Sequence, residues 1–309
     1  MYYPILKGKQ FELAAIRELV GHIPLNNVCP ILEPVNLALG PLATTISELS
    51  ASGINPWIII NPAQGEYANN IGANITTSLT AQLSGTAIGT GQFVPCIKII
   101  DQTDTTARAL LNTFTIPFVA YIEGNISPAL IPELKRAAVV VLNPDKTDHA
   151  IWSMLPSVVL FHDGFEKKAR NLDYADESFY SKLHTEYKAH QNTIGFGDFT
   201  SLGERLVAGG GPAFVVTIHL SFLDPSRLNY MYFRHFSSYS DTKSQSDPGG
   251  KFLEALNLLV AHVNANPTHF INTLGLQDFY ALNISGHYPG LGVVKKISIK
   301  HHIQTLSTW

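Results

Sequence analysis

Cysteine is nearly missing: Cys29 and Cys96 are the only two in 309 residues. An extracellular disulfide framework would carry more of them at closer spacing, and each lies inside an apolar run, so both are expected as buried free thiols. Charge is also sparse. Only 15% of residues are charged, with a formal net charge of -3 and a pI near 6.4. A sequence-independent polyphosphate binder needs a broad cationic surface, so direct nucleic-acid binding is not expected. No run approaches the roughly 18 to 20 apolar residues that span a bilayer, which argues against a membrane protein. The chain opens on a strand-like run containing Lys7 and Lys9 instead of a basic stretch and a long apolar helix, which predicts no secretory leader and a cytoplasmic, soluble protein. A Walker loop, a Ser-centred nucleophile elbow and a CxxC pair are all lacking.

What is present is hydrophobic residue, 45% of the chain, enough to build one large core. Eight short runs rich in Val, Ile and Tyr stand out: 2–6, 28–32, 57–60, 94–100, 118–122, 138–142, 158–161 and 193–196. They are apolar on both faces, as parallel strands covered by helices must be; half-exposed strands would alternate. Helical periodicity fills the gaps at 12–20, 41–51, 76–83, 105–114, 128–135, 148–154 and 177–190, with Thr103 or Asp104 as a cap for the fourth. The strand-then-helix order predicts right-handed crossovers and an α/β fold, and eight units predict a (β/α)8 TIM-like barrel. A doubly wound open sheet is the alternative, but no Gly-rich turn follows the first strand.

After residue 200 the pattern changes. "PAFVVTIHLSFL" and "RLNYMYFRHFSS" flank "DPS" and predict an antiparallel hairpin inserted at about 212–237. A polar loop, 238–250, precedes an amphipathic helix over 251–263, read as the eighth barrel helix displaced by the insert. The expected division is a barrel over 1–265 and an appendage over 266–309 packed on it.

Strand C-termini of such a barrel surround one open face, where the chemistry of this architecture collects. Each run closes on a polar group: Lys7, Glu33, Asn61, Lys98 or Asp101, Glu123, Asn143, His162 with Asp163, and Asp198. "YYPILKGK" and "VCPILEPV" write the same Pro-Ile-Leu-charge phrase, which places Lys7 and Glu33 in matching orientation. Lys7, Glu33 and Glu123 are expected to share a cavity, and with Asp198 they form the candidate catalytic set. Neighbouring charges and burial push such pKa values apart, which suits acid–base work. Lys9, Asn61, Lys98, Asn143, His162 and Asp163 are candidates for ligand binding. So are Gly209 and Gly210 of "LVAGGGPAF", because consecutive glycines let N–H groups point at an anion. Magnesium on Asp163, Asp198, Glu33 and Glu123 is weighed but not assigned, and no cofactor can be named. His301-His302 reads as a polar helix end.

"YYPILKGKQFEL", "ILEPV", "GFGDFTSLG" at 195–203 and "KKISIKHHI" at 295–303 together resemble the Beta protein family of bacteria and phages. That family opens on a strand closing at a Lys and a helix beginning near a Glu, which Lys7 and Glu12 match. Its last strand carries a Gly-Asp, matched by Gly197 and Asp198. Val293 and Val294 stand where the family usually has an aromatic. The resemblance implies a barrel-like domain, an antiphage or mobile-element context and sometimes a small nuclease-like partner; it implies no reaction. Three functions follow. The first is a barrel whose mouth binds a small anionic ligand such as a nucleotide or phosphorylated metabolite. The second is a non-enzymatic interaction module joining a nuclease-like protein through the hairpin and tail. The third is a hydrolase of glycosidase or phosphodiesterase type using Glu33 and Glu123.

Overall fold

A computed structural model describes residues 1–70, 74–84, 92–206 and 213–309. Gly209 and Gly210 lie outside the described residues. The expected barrel is there: a closed ring of parallel strands, β1 (Tyr2–Leu6), β2 (Ile31–Leu32), β3 (Trp57–Ile59), β4 (Val94–Ile99), β5 (Val119–Ile122), β6 (Val139–Leu142), β7 (Val158–His162) and β9 (Thr193–Asp198). Strand β8 (Glu177–Ser181) belongs to a separate sheet. The ring closes where Tyr2, Tyr3 and Pro4 of β1 pair with Phe196, Gly197 and Asp198 of β9. Ring closure removes both sheet edges, and almost every strand residue is buried on either face, which is why the runs read as continuous apolar stretches.

Prolines lead several strands without disturbing the ladder, because a strand start needs only their carbonyls. Pro30 accepts from the Trp57 amide at 2.9 Å and Pro56 from the Val94 amide at 3.0 Å. Helices α1 (Gln10–Glu18), α2 (Gly40–Ala51), α3 (Thr76–Leu83), α4 (Thr105–Thr113), α5 (Ile131–Leu134), α6 (His149–Trp152) and α7 (Leu183–Glu186) fall between the strands. Asp104 caps α4, its Oδ1 accepting the Ala107 amide at 2.9 Å.

The chain divides into two compact units. One holds the barrel: Met1–Leu13, Ile23–His162 and Leu183–Asp198. The other comprises Ala14–His22, Asp163–Lys182 and Phe199–Trp309. In it, β10 (Thr217–Asp224) and β11 (Tyr230–Ser237) form the expected antiparallel hairpin, and β8 joins β11 to complete a three-stranded sheet. The helix expected over 177–190 is therefore corrected. Glu177–Ser181 alternates between faces and finds a strand partner, leaving a helical turn at Leu183–Glu186 and a 3-10 turn at Tyr187–Ala189.

Helix α8 (Pro248–Ala265), read as a displaced barrel helix, lies in this second unit. Its Phe252, Leu256 and Leu259 pack with Ile218, Leu220 and Phe222 of β10. Helices α9 (Leu274–Ser285) and α10 (Leu291–Ser307) complete that core. His301 and His302 are fully buried within α10, not a polar end. The Ser221 carbonyl can only accept, so His301 Nε2 carries the proton that meets it at 2.8 Å, and Nδ1 accepts from Thr273 Oγ1 at 2.7 Å. The helix thereby satisfies a carbonyl on the outer strand of the sheet.

Candidate functional site

The C-terminal ends of β1, β2, β4 and β5 hold a chain of alternating charges. Lys7 Nζ sits 2.6 Å from Glu33 Oε2, Glu33 Oε1 sits 2.9 Å from Lys98 Nζ, and Lys98 Nζ sits 3.0 Å from Glu123 Oε2. Lys7, Glu33 and Lys98 are buried, at 4%, 1% and 2% exposure, whereas the Glu123 side chain keeps 25% of its surface. Three charges are thus removed from water and the fourth faces it. The three predicted residues Lys7, Glu33 and Glu123 come together, and Lys98 is the link between the carboxylates.

Local structure explains the placement. Gly8, at φ +65°, turns the chain out of β1, and a Cβ there would lie 3.1 Å from the Glu33 carbonyl, so glycine lets the two strand ends approach. The Lys7 amide then donates to a carboxyl oxygen of Glu12 in the first turn of α1. Asn61 extends the ladder beyond β3. Its Nδ2 donates to the Lys98 carbonyl and its Oδ1 accepts the Lys98 amide, both at 2.7 Å. Asn61 therefore fixes the Lys98 backbone with both ends of its amide, a positioning role.

Burial by itself would raise the Glu33 pKa, but the Lys7 and Lys98 ammonium groups outweigh it and hold the carboxyl below its ordinary range. For Lys98, burial pulls downward and the Glu33 and Glu123 carboxylates overcome it, raising the ammonium above its usual value. Both groups stay charged near neutrality. With each oxygen of Glu33 engaged by an ammonium, Glu33 is held as a carboxylate, not as the protonated acid of a glycosidase pair.

The other predicted residues are spread around the strand ends. Asp198 is buried and its Oδ1 accepts the Tyr2 hydroxyl at 2.8 Å. Asn143 Oδ1 accepts the Asp145 amide at 2.9 Å, shaping the turn after β6, and His162 Nε2 lies 3.5 Å from Asp145 Oδ2. Lys146 from that turn donates to the Glu123 carbonyl at 3.2 Å. Lys9 is partly exposed, and its carbonyl accepts the Glu12 and Leu13 amides. Asp163 falls in the second unit, where Oδ2 accepts the Glu204 amide at 3.0 Å. Among the described residues no three of His, Cys, Asp or Glu are grouped as metal ligands, so the carboxylates weighed for magnesium are not assembled into a site.

Sequence reasoning missed the role of Glu12 and the pairing function of Asn61. The available signal was the glycine directly after Lys7 with a glutamate four residues beyond it, the pattern of a tight turn into a capped helix.

Fold and site together define a (β/α)8 TIM-like barrel with an antiparallel-sheet and helical second unit, carrying a buried ion chain at its strand C-terminal ends. No protein-family model, no curated protein and no solved structure matches the chain. No helix among the described residues is long and apolar enough to cross a membrane.

Proposed function

We propose that the barrel mouth binds a small anionic ligand, such as a nucleotide or phosphorylated metabolite, with Lys98 as its main cationic contact. One observation carries this reading: Lys98 is buried, yet one of its two carboxylate partners, Glu123, remains in touch with solvent. Glu33 is held between two lysines, whereas Glu123 meets Lys98 and keeps a quarter of its side-chain surface exposed. An incoming phosphate or carboxylate takes the place of Glu123 on the ammonium and gains a charge-assisted hydrogen bond in a low-dielectric setting. A barrel does not need such a chain for stability, because well-packed apolar residues of similar volume do as well or better. In this reading Glu123 is an intramolecular competitor for the ligand.

Calorimetric titration of the full chain with inorganic phosphate and with AMP tests it. Glu123→Gln is expected to bind at least one of them several-fold more tightly than the unaltered protein, and Lys98→Met to lose that binding. Equal affinity in the unaltered protein and Glu123→Gln, or no heat with either anion in either protein, refutes it. The antiphage or mobile-element setting belongs to this proposal and a nuclease-like partner to the alternative of a non-enzymatic interaction module; both are supported by the sequence resemblance alone.

A further inference from the structure

The three-stranded sheet of the second unit carries a second set of chemical groups. His219 on β10 and His235 on β11 are direct cross-strand partners, and their Nδ1 atoms lie 2.7 Å apart. His235 Nε2 lies 2.8 Å from Ser178 Oγ on β8, whose ladder partner Phe233 is two residues before His235 and so on the same face of β11. One hydroxyl and two imidazoles therefore form a continuous line across all three strands, on the face opposite α8.

We propose that Ser178, His235 and His219 form a nucleophile relay for acyl transfer from small carboxylic esters. The protons can be assigned throughout. Ser178 O–H donates to His235 Nε2, and His235 Nδ1–H donates to His219 Nδ1, which must then be the unprotonated nitrogen of that ring. This is the order a serine nucleophile needs: a base within hydrogen-bond reach, itself oriented by a third group. Burial, with Arg234 and Lys168 adding to it, lowers the His235 pKa to about 4, so the ring is neutral near pH 7 and its Nε2 lone pair faces the serine hydroxyl.

Ser178 is partly exposed, and Phe165 and Tyr174 stand edge-on to His219 at 5.0 and 4.6 Å between ring centres. Tyr174 also stands 4.8 Å from the His235 ring, so the two aromatics cover the imidazole pair with apolar surface, the chemistry that an aryl or short alkyl ester would match. Because the His235 amide bonds the Asp176 carbonyl, ladder alternation turns the Phe179 N–H away from β11, toward the outer side of the edge strand. That amide, directly after the nucleophile, is placed to receive an oxyanion. A buried imidazole beside a half-buried one is not needed to pair these strands; a Val–Thr pair would satisfy the same positions at lower desolvation cost.

In the first half-reaction Ser178 Oγ attacks the ester carbonyl carbon and its proton passes to His235 Nε2. The C–O bond to the leaving alcohol then breaks, and the alcohol takes that proton. In the second, water attacks the acyl-serine, gives a proton to His235 and releases the carboxylic acid as Ser178 recovers its hydrogen. No oxidant or reductant enters. His219 touches no substrate and is a positioning residue.

The test uses the full chain, a fluorophosphonate probe and p-nitrophenyl acetate. The expected result is one adduct on Ser178, lost in Ser178→Ala and formed at least tenfold more slowly in His235→Gln. His219→Asp, which restores an acceptor for Nδ1–H, should retain labelling that His219→Leu loses. Absence of an adduct on Ser178 in folded protein overturns the proposal, as does a labelling rate indifferent to His235→Gln. Should His235→Gln fail to fold, Ser178→Cys decides: its thiol must be alkylated by iodoacetamide at least tenfold faster than a free cysteine at pH 7, and an equal or slower rate also overturns the proposal.

Discussion

Replacing Glu33 by Gln keeps the shape of the side chain and removes its charge. Lys7 and Lys98, each bonded to one oxygen of that carboxylate at 2.6 and 2.9 Å, are both almost fully buried. Glu33→Gln leaves Lys7 without its carboxylate at that position and Lys98 with Glu123 alone. Breaking a buried pair by removing one partner costs roughly 3 to 5 kcal/mol, because an uncompensated charge stays in the interior. Urea denaturation at pH 7 should show a loss of that size. The sign with pH follows from the depressed carboxyl. Glu33 is deprotonated more readily when folded, so its contribution is complete above the unfolded value of about 4.3 and fades as pH falls through the lower folded value. The gap between the unaltered protein and Glu33→Gln should therefore be constant from pH 5 to 8 and narrow below about pH 4. A loss under about 1 kcal/mol, the range of exposed pairs, would refute the claim that the chain is buried and tightly paired.

Other outcomes are expected from the same reasoning. The triple change Lys7→Met, Glu33→Leu, Lys98→Met should fold with stability within about 1 kcal/mol of the original or better, since apolar replacements of buried ion groups are often neutral or stabilising, while phosphate binding disappears in calorimetry. Asn61→Ala strips the Lys98 backbone of two hydrogen bonds and should cost about 2 kcal/mol in denaturant melts, whereas Asn61→Asp, which retains only acceptors, should fail to restore it. Gly8→Ala puts a Cβ at φ +65° beside the Glu33 carbonyl and should destabilise by about 1 to 2 kcal/mol. His301, lowered to about 4 by burial despite its bond to the Ser221 carbonyl, is unprotonated when folded, so its contribution is present above about pH 6.5 and is lost between that and pH 4. His301→Gln should flatten that limb of the stability–pH curve.

The barrel was legible because its strands are buried on both faces and Val, Ile and Leu have no other way to be placed in such a ring. Seven of the eight runs match a ring strand within two residues at each end, the run 28–32 starts three residues before β2, and Pro30 and Pro56 fall just before β2 and β3, where a missing amide is harmless. The strand-end charges were legible for the same reason: Lys7, Glu33, Lys98 and Glu123 each close an apolar run, and barrel closure brings those ends to one side.

What the sequence hid depends on tertiary partners. Glu177–Ser181 alternates over only five residues and follows with helix-forming types, so its strand character appears only once β11 lies beside it. His301 and His302 look polar in isolation, yet the Ser221 carbonyl and the Phe233 and Tyr180 rings give them buried surroundings. Asn61 looks like a ligand contact and instead completes the backbone ladder of its neighbour. In each case the deciding partner is far away along the chain.

The central claim is that an anion can take the Lys98 ammonium from Glu123. Crystals of Glu123→Gln soaked in tungstate, a heavy tetrahedral stand-in for phosphate, test it directly through anomalous scattering. The account predicts a peak within hydrogen-bond distance of Lys98 Nζ at the strand C-terminal ends, weaker or missing with Glu123 intact. An empty mouth in both crystals, with tungstate elsewhere or nowhere, would contradict it.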